Sequence, residues 1–242
     1  MKHPAGPAIH AVHPWIPGNR DGGTRHQLLS DDERAQLAKI ATIVRFDKGG
    51  EIYAEGAAAD AAFNIISGVV VAHRSLEGAE HVISFLYPGD LFGLSEEGRY
   101  ANATRATTAV MAYRIPLAAI RRILDNNAGL DVNIIIKLCE ELREAQRHAV
   151  LLAQKRSTTR LAMFLDLQEH LQVARGEPVS EIHLPMDRSS IAGYLGMTPA
   201  ALSRAFRALA SRKIIASGNL HNVEIIDRDA FNALAYAHPK NS

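Results

Sequence analysis

The sequence predicts an α+β chain, with an N-terminal antiparallel β-roll, a long dimerisation helix and a C-terminal winged helix-turn-helix. Three observations predict it. Short β-prone runs punctuated by glycine fill the stretch from Val44 to Pro116, at the spacing of a roll or barrel. From Asp131 to Lys155 the apolar period becomes a heptad, and beyond residue 186 two helical patterns are separated by a turn containing Gly196. The expected organisation is a flexible tail at 1–27, a roll at 28–126, the long helix at 127–157 and the helix-turn-helix unit at 158–242.

The 242 residues suffice for two small domains, and a hydrophobic content of 47% is ordinary for a globular chain. No run approaches the roughly 18 apolar residues of a membrane helix. The N-terminus carries Pro and His where a secretory signal has its apolar core. The expectation is a cytoplasmic protein with no membrane partner. Cys139 is the only cysteine, so an intramolecular disulfide is impossible, and one thiol cannot hold zinc or an iron–sulfur cluster by itself. It reads as a small hydrophobe beside the heptad seam, with a redox switch assisted by Lys137 as the sharper alternative.

The elements follow in order. Residues 1–27 combine Pro4, Pro7, Pro14 and Pro17 with Gly18, Gly22 and Gly23, which breaks any helix or strand period. His3, His10, His13 and Trp15 lie there without a scaffold to hold a metal. Ser30-Asp31-Asp32-Glu33 forms a capping box before Leu37 and Ile40, so a short helix is expected to begin the ordered part. The strand-like runs are Glu51–Glu55, Phe63–Ile66, Val69–Arg74, His81–Leu86 and Thr104–Ile115, with Gly56, Gly68, Gly78, Gly89 and Gly93 between or beside them. None of these glycines opens a helix as a phosphate-binding loop would. Ile135, Leu138, Leu142, Ala145, Ala149 and Leu152 are spaced three and four apart in alternation, the a/d seam of a helix that associates with its own copy.

An apolar-faced helix is expected at Arg160–Leu171 and a short strand at Ile182–Pro185. Asp187 then caps a helix carrying Ile191 and Leu195, Gly196 ends it, and Thr198-Pro199 starts the next. That second helix divides by face. Leu202, Ala205, Phe206 and Leu209 share the core side, and Ala200, Ser203, Arg204 and Arg207 share the other. Total charge, only +1, says nothing about nucleic acid. Its distribution does: Arg188, Arg204, Arg207, Arg212 and Lys213 fall in one acid-free stretch, a local excess of five charges. Small and basic side chains on one helical face suit the major groove of double-stranded DNA. Ile214–Ser217 and Val223–Ile226, joined through Gly218-Asn219, complete a hairpin wing.

These residues resemble the Crp/Fnr family of transcription regulators, from about residue 28 to the end. The roll carries Phe46...Gly49-Gly50...Ile52...Glu55-Gly56, Phe63...Ile65...Ser67-Gly68 and Pro88-Gly89-Asp90-Leu91-Phe92-Gly93, similar to the family's cyclic-nucleotide-binding-type fold. Leu184-Pro185-Met186...Arg188...Ile191-Ala192...Tyr194-Leu195-Gly196-Met197-Thr198 and Leu202-Ser203-Arg204 resemble the Fnr/FixK branch. The resemblance implies a homodimer on a palindromic operator, RNA polymerase as a partner, and a sensor that alters how the recognition helices are presented. It also implies DNA contacts from Thr198, Pro199, Ala200, Ser203, Arg204, Arg207, Arg188 and Ser189. Arg204 would pair with guanine, Ser203 would touch base or phosphate, and Arg207 and Arg188 would meet phosphates.

Departures from the family pattern carry information. The cyclic-AMP branch has a Glu soon after Phe-Gly and an Arg-Ser pair a few residues on. Here Leu94-Ser95 and Tyr100-Ala101 stand in those places, so cyclic AMP is not expected. The N-terminal cysteines of oxygen sensors are missing, so neither is an iron–sulfur cluster. Ala200 occupies the position of a Glu that reads base amino groups, which predicts an altered half-site, with contact to a thymine methyl. A haem-dependent gas sensor of the same family is one alternative, with His73, His81 or a tail histidine as ligands. A cupin-like metal enzyme is another, but His73, Glu80 and His81 contain no His-x-His pair. A small organic effector, or none, fits the roll better. No catalytic set shows in the sequence.

Overall fold

The computed structural model describes residues 39–95, 97–124, 142–178, 180–216 and 221–236. The tail, the capping box at Ser30, Ile135, Leu138, Cys139 and the Gly218-Asn219 turn lie outside the described residues. Two compact units divide the chain between residues 141 and 142.

The first unit is a roll of two four-stranded antiparallel sheets. One is ordered β1 (Thr42–Phe46), β8 (Val110–Pro116), β3 (Ala61–Ser67), β6 (Leu91–Phe92). The other is ordered β2 (Glu51–Tyr53), β7 (Ala103–Ala106), β4 (Val70–Leu76), β5 (Ala79–Leu86). Alternation along β8 builds two clusters from one strand. Val110 and Ala112 join Tyr53, Phe63, Phe92 and Tyr100 in the interior, whereas Tyr113 and Ile115 pack with Ile66, Leu91 and Ile120. Ile120 belongs to α1 (Leu117–Leu124), a helix that the sequence reading did not anticipate.

The run Thr104–Ile115, read as one strand, is two. β7 lies in one sheet and β8 in the other, and the break at Thr107–Ala109 contains neither Gly nor Pro. What breaks it is the opposing turn. Thr107 N–H donates to Val69 O at 2.8 Å, Val69 N–H donates to Thr108 Oγ1 at 2.9 Å, and Gly68, at φ +90°, lies against Ala109 so closely that a Cβ would stand 2.2 Å from its carbonyl oxygen. The glycine signal for this corner sits about forty residues away from it.

In the second unit, residues 142–153 are helical (α2), followed by α3 (Ser157–Ala174), β9 (Ile182–His183), α4 (Arg188–Tyr194), α5 (Pro199–Ser211), β10 (Ile215–Ala216), β11 (Asn222–Ile225) and α6 (Arg228–Ala235). β9 joins the wing as its third strand, in the order β10-β11-β9. α3 is longer than expected and is not divided simply into apolar and polar faces. It buries Leu161, Phe164 and Leu165, but also Asp166, Gln168 and Gln172. The buried polar groups have work. Gln172 Nε2 donates to the carbonyls of Pro178 and, at 2.7 Å, Glu181, while its Oε1 accepts from His183 N–H at 2.9 Å, which ties β9 to the helix. Asp166 accepts from the Tyr236 hydroxyl at 2.8 Å beyond the end of α6; burial raises its pKa, and that hydrogen bond opposes the rise. Among the described residues no helix is long and apolar enough to cross a membrane.

Gly68 and Gly78 separate strain from crowding. Both have positive φ, but a Cβ at Gly78 meets nothing within 4 Å. Gly78→Ala is expected to cost about 1–2 kcal/mol of roll stability, the left-handed penalty alone. Gly68→Ala adds a backbone clash and should cost roughly 2–5 kcal/mol. Urea titrations of the two variants with equal midpoints would contradict this reading of the corner.

Candidate nucleic-acid interface

Local chemistry places both helices of the helix-turn-helix. Asp187 Oδ1 accepts from Ser190 N–H at 2.7 Å and from the Ser189 hydroxyl at 2.6 Å, capping α4. Gly196, at φ +59°, lets the chain leave α4. Thr198 Oγ1 accepts from Ala201 N–H at 3.2 Å, and Pro199 occupies the first turn of α5, where its missing N–H costs nothing. Ile191, Leu195, Leu202, Ala205, Phe206 and Leu209 are buried.

The outward face of α5 gathers six of the eight residues singled out in the sequence. Thr198, Pro199, Ala200, Ser203, Arg204 and Arg207 are all exposed. The Ser203 hydroxyl donates back to Pro199 O at 3.0 Å, so its lone pairs are what remain for a partner. Arg207 Nε leans on Ser203 O at 3.4 Å. Arg204 makes no hydrogen bond or ion pair among the described residues. From Arg188 to Lys213 no carboxylate is present, and neighbouring Asp187 is engaged as a cap.

The other two expected residues, Arg188 and Ser189, open α4. Ser189 is exposed and bonded to Asp187. Arg188 does not extend freely into solvent. Its guanidinium lies 3.7 Å from the centroid of the Phe206 ring, half-buried, and burial lowers its pKa from the usual arginine value. Nη1 has no hydrogen-bond partner among the described residues. Phe206 thus serves as core residue and as seat for a cation, a pairing across helices that no local pattern signals. Arg160 was also missed: it donates to Gln154 O at 2.7 Å, Leu195 O at 3.0 Å and Gly196 O at 3.1 Å, behind the turn.

In the roll, the positions compared with cyclic-nucleotide binders differ in exposure. Tyr100 is 5% exposed and stacks on Tyr53, with centroids 3.7 Å apart and planes 12° apart. Its hydroxyl donates to Ala61 O at 2.8 Å. Phe63 and Phe92 stack at 5.5 Å, each near Tyr53. Burial raises the pKa of both tyrosines, as an apolar interior requires. Leu94 is exposed, and the Ser95 hydroxyl is turned to Arg99 O at 2.7 Å. His73 Nδ1 is 3.7 Å from Glu80, whose carboxylate is gripped by Arg105 at 2.8 and 2.9 Å. His81 faces Arg74 across the β4–β5 ladder. Among the described residues no three His, Cys, Asp or Glu side chains gather as metal ligands would.

Comparison with known proteins agrees with this architecture. A model of the Crp-like helix-turn-helix domain matches residues 159–234, and one of the cyclic nucleotide-binding domain matches residues 43–127. The nitrogen fixation regulation protein FixK of Azorhizobium caulinodans is 29% identical over 237 residues, covering 94% of each chain. FixK of Bradyrhizobium diazoefficiens is 29% identical over 212 residues, 86% of this chain and 88% of that one. The solved structure of FixK2 from Bradyrhizobium japonicum matches with a TM-score of 0.75 at 26% identity, over 82% of this chain and 99% of that one. With both domains matched and relatives aligned along most of its length, the chain belongs to the Crp/Fnr family and is a DNA-binding transcription regulator, not an enzyme.

Proposed function

We propose that the protein reads a palindromic operator as a homodimer, acts in the cytoplasm with RNA polymerase as its downstream partner, and uses a roll that takes neither cyclic AMP nor an iron–sulfur cluster. The observation that carries the DNA reading is the outward face of α5, exposed, free of acids and headed by an uncommitted Arg204. A helix presenting Ala200, Ser203 and Arg204 near its N-terminus can lay them against base edges. Arg204 pairs bidentately with guanine, Ala200 offers a methyl to thymine, and Ser203 accepts from a base donor or turns its hydroxyl away from Pro199 O to donate to phosphate. Arg207, Arg188, Thr198, Pro199 and Ser189 border the backbone and fix register.

The dimer reading is supported by α2. Leu142, at 60% exposure, and Leu152, at 38%, lie with exposed Ala145 and Ala149 on one stripe, whereas Leu151 is buried on another. A seam with small residues allows close approach of a second copy. For the roll, support comes from Tyr100, whose ring occupies apolar space and brings no cation for a cyclic phosphate. Any effector is then a different small molecule.

Selection from random duplexes is expected to enrich a palindrome whose half-site differs from the Fnr type where Ala200 reads. On that duplex Arg204→Ala should cost about 1–3 kcal/mol and blur one base position. Arg207→Ala should weaken all sequences alike and reduce the salt slope by about one. Equal, sequence-independent losses in both variants would overturn the assignment of roles. Ala149→Glu, which sets like charges across the seam, should convert a dimer to monomer in sedimentation and abolish palindrome preference; an unchanged dimer would refute the seam.

A further inference from the structure

The turn between α4 and α5 ends a helix, so its last carbonyls need donors from elsewhere. Backbone amides serve three: Leu195 N–H reaches Ile191 O at 3.0 Å, Met197 N–H reaches Ala192 O at 2.9 Å and Gly196 N–H reaches Gly193 O at 3.3 Å. Two side chains serve the next three. His148 Nε2, on α2, is 2.7 Å from Tyr194 O, and Arg160 Nη1, on α3, reaches Leu195 O and Gly196 O at 3.0 and 3.1 Å. A carbonyl only accepts, so Nε2 carries the proton. The imidazole lies flat on the Tyr194 ring, with centroids 4.0 Å and planes 6° apart, and Tyr194 also meets Phe164 at 5.6 Å. Gly196 is held close beneath the same elements: a Cβ there would stand 3.1 Å from Leu152 and 3.5 Å from Arg160.

We propose that His148 is a positioning residue for DNA reading, whose ring stack on Tyr194 and hydrogen bond to the Tyr194 carbonyl clamp the turn of the helix-turn-helix to α2. The proposal rests on the dimeric reading above. Its force lies in where His148 sits: the next residue, Ala149, is on the exposed seam, and the turn it holds leads directly into α5. One helix thereby connects the second copy to the recognition helix, and the angle between them depends on a contact that never touches DNA. Arg160 supplies the matching grip, since its Nε bonds Gln154 O just past α2.

The clamp should respond to acid. Burial lowers the His148 pKa, and the bond to Tyr194 O only partly opposes that. The charged and titratable groups around the stack are Glu144 and Arg147 from α2, Arg160 from α3 and the Tyr194 phenol from α4. A histidine held below its free value is neutral in the clamp. The imidazolium would keep its Nε2–H bond to Tyr194 O but is penalised by burial, so the clamp is fully favoured above about pH 6.5 and weakens as pH falls from there toward the lowered value.

The test uses the full-length protein, the palindrome it enriches, and duplexes with the half-sites one base pair nearer or farther, a change of about 3.4 Å and about 35°. Wild type should discriminate among spacings. His148→Ala should reduce that discrimination by roughly threefold to tenfold, the worth of one hydrogen bond. His148→Gln, whose amide can reach the same carbonyl, should restore most of it. Moving from about pH 7.5 to about pH 5.5 should relax spacing preference in wild type but not in His148→Gln. Full discrimination in His148→Ala, a uniform loss on every duplex, or one shared pH response would overturn the clamp. Failure of the dimeric reading looks different: wild type itself would ignore spacing, and the clamp would fall with it.

Discussion

A seven-residue helix cannot satisfy its own ends, and α4 is such a helix. Four amides at one end and four carbonyls at the other lack intrahelical partners, so its surroundings must supply more bonds than the helix makes itself. The second unit is organised around that demand. Asp187 serves the first turn, and Arg160 and His148 meet the last carbonyls while Gly196 turns the chain away. α4 has little stability of its own. It exists where α2, α3 and α5 converge on it, and the direction of α5 follows from that convergence.

The roll obeys a different constraint, that of filling space between two twisted sheets. Tyr53, Phe63, Phe92 and Tyr100 fill it with ring-to-ring contacts, and Phe46 closes on Phe63 edge-on at 6.4 Å. Aromatic pairs hold more area per residue than aliphatic ones and add geometric preference. Tyr100 also bonds Ala61 through its hydroxyl, so its ring is fixed at both ends of the side chain. A molecule entering this interior has to displace stacked rings and break that bond. The rings themselves carry no charge that could offset the lost hydration of an anionic ligand.

How much the sequence revealed follows from the range of the forces involved. The caps and the two faces of α5 were legible because they depend on residues within one or two turns: Thr198 with Ala201, and Leu202 with Ala205, Phe206 and Leu209. The β7–β8 corner was not, because the residue that imposes it is Gly68 in another turn. α3 was misjudged for a related reason. Asp166 and Gln172 look like surface residues until Tyr236, Glu181 and His183 are brought to them by the fold. α1 and α6 went unread, although Asp227, which accepts from Ala230 N–H at 2.9 Å, is a local start signal that could have revealed α6. Arg188 shows the limit most clearly: the sequence marks it as a cation, and only the packing of α4 on α5 shows that Phe206 is its platform.

That platform bears on how a nearly neutral protein can hold an anionic duplex. A net charge of +1 gives little long-range attraction, so recognition must rely on cations concentrated and oriented at one face. Arg188, Arg207 and Arg204 stand at three levels of prior order: one stacked on an aromatic ring, one leaning on a backbone carbonyl, one uncommitted. Fixing a free arginine on binding costs about 2 kcal/mol of side-chain entropy, and a stacked one has already lost part of it. A pre-ordered cation therefore adds affinity at any phosphate it can reach, with little regard for sequence. The uncommitted one recovers its ordering cost only where both of its donors find acceptors, as at the edge of guanine. Discrimination is thus expected from the freest arginine of the face and register from the most restrained.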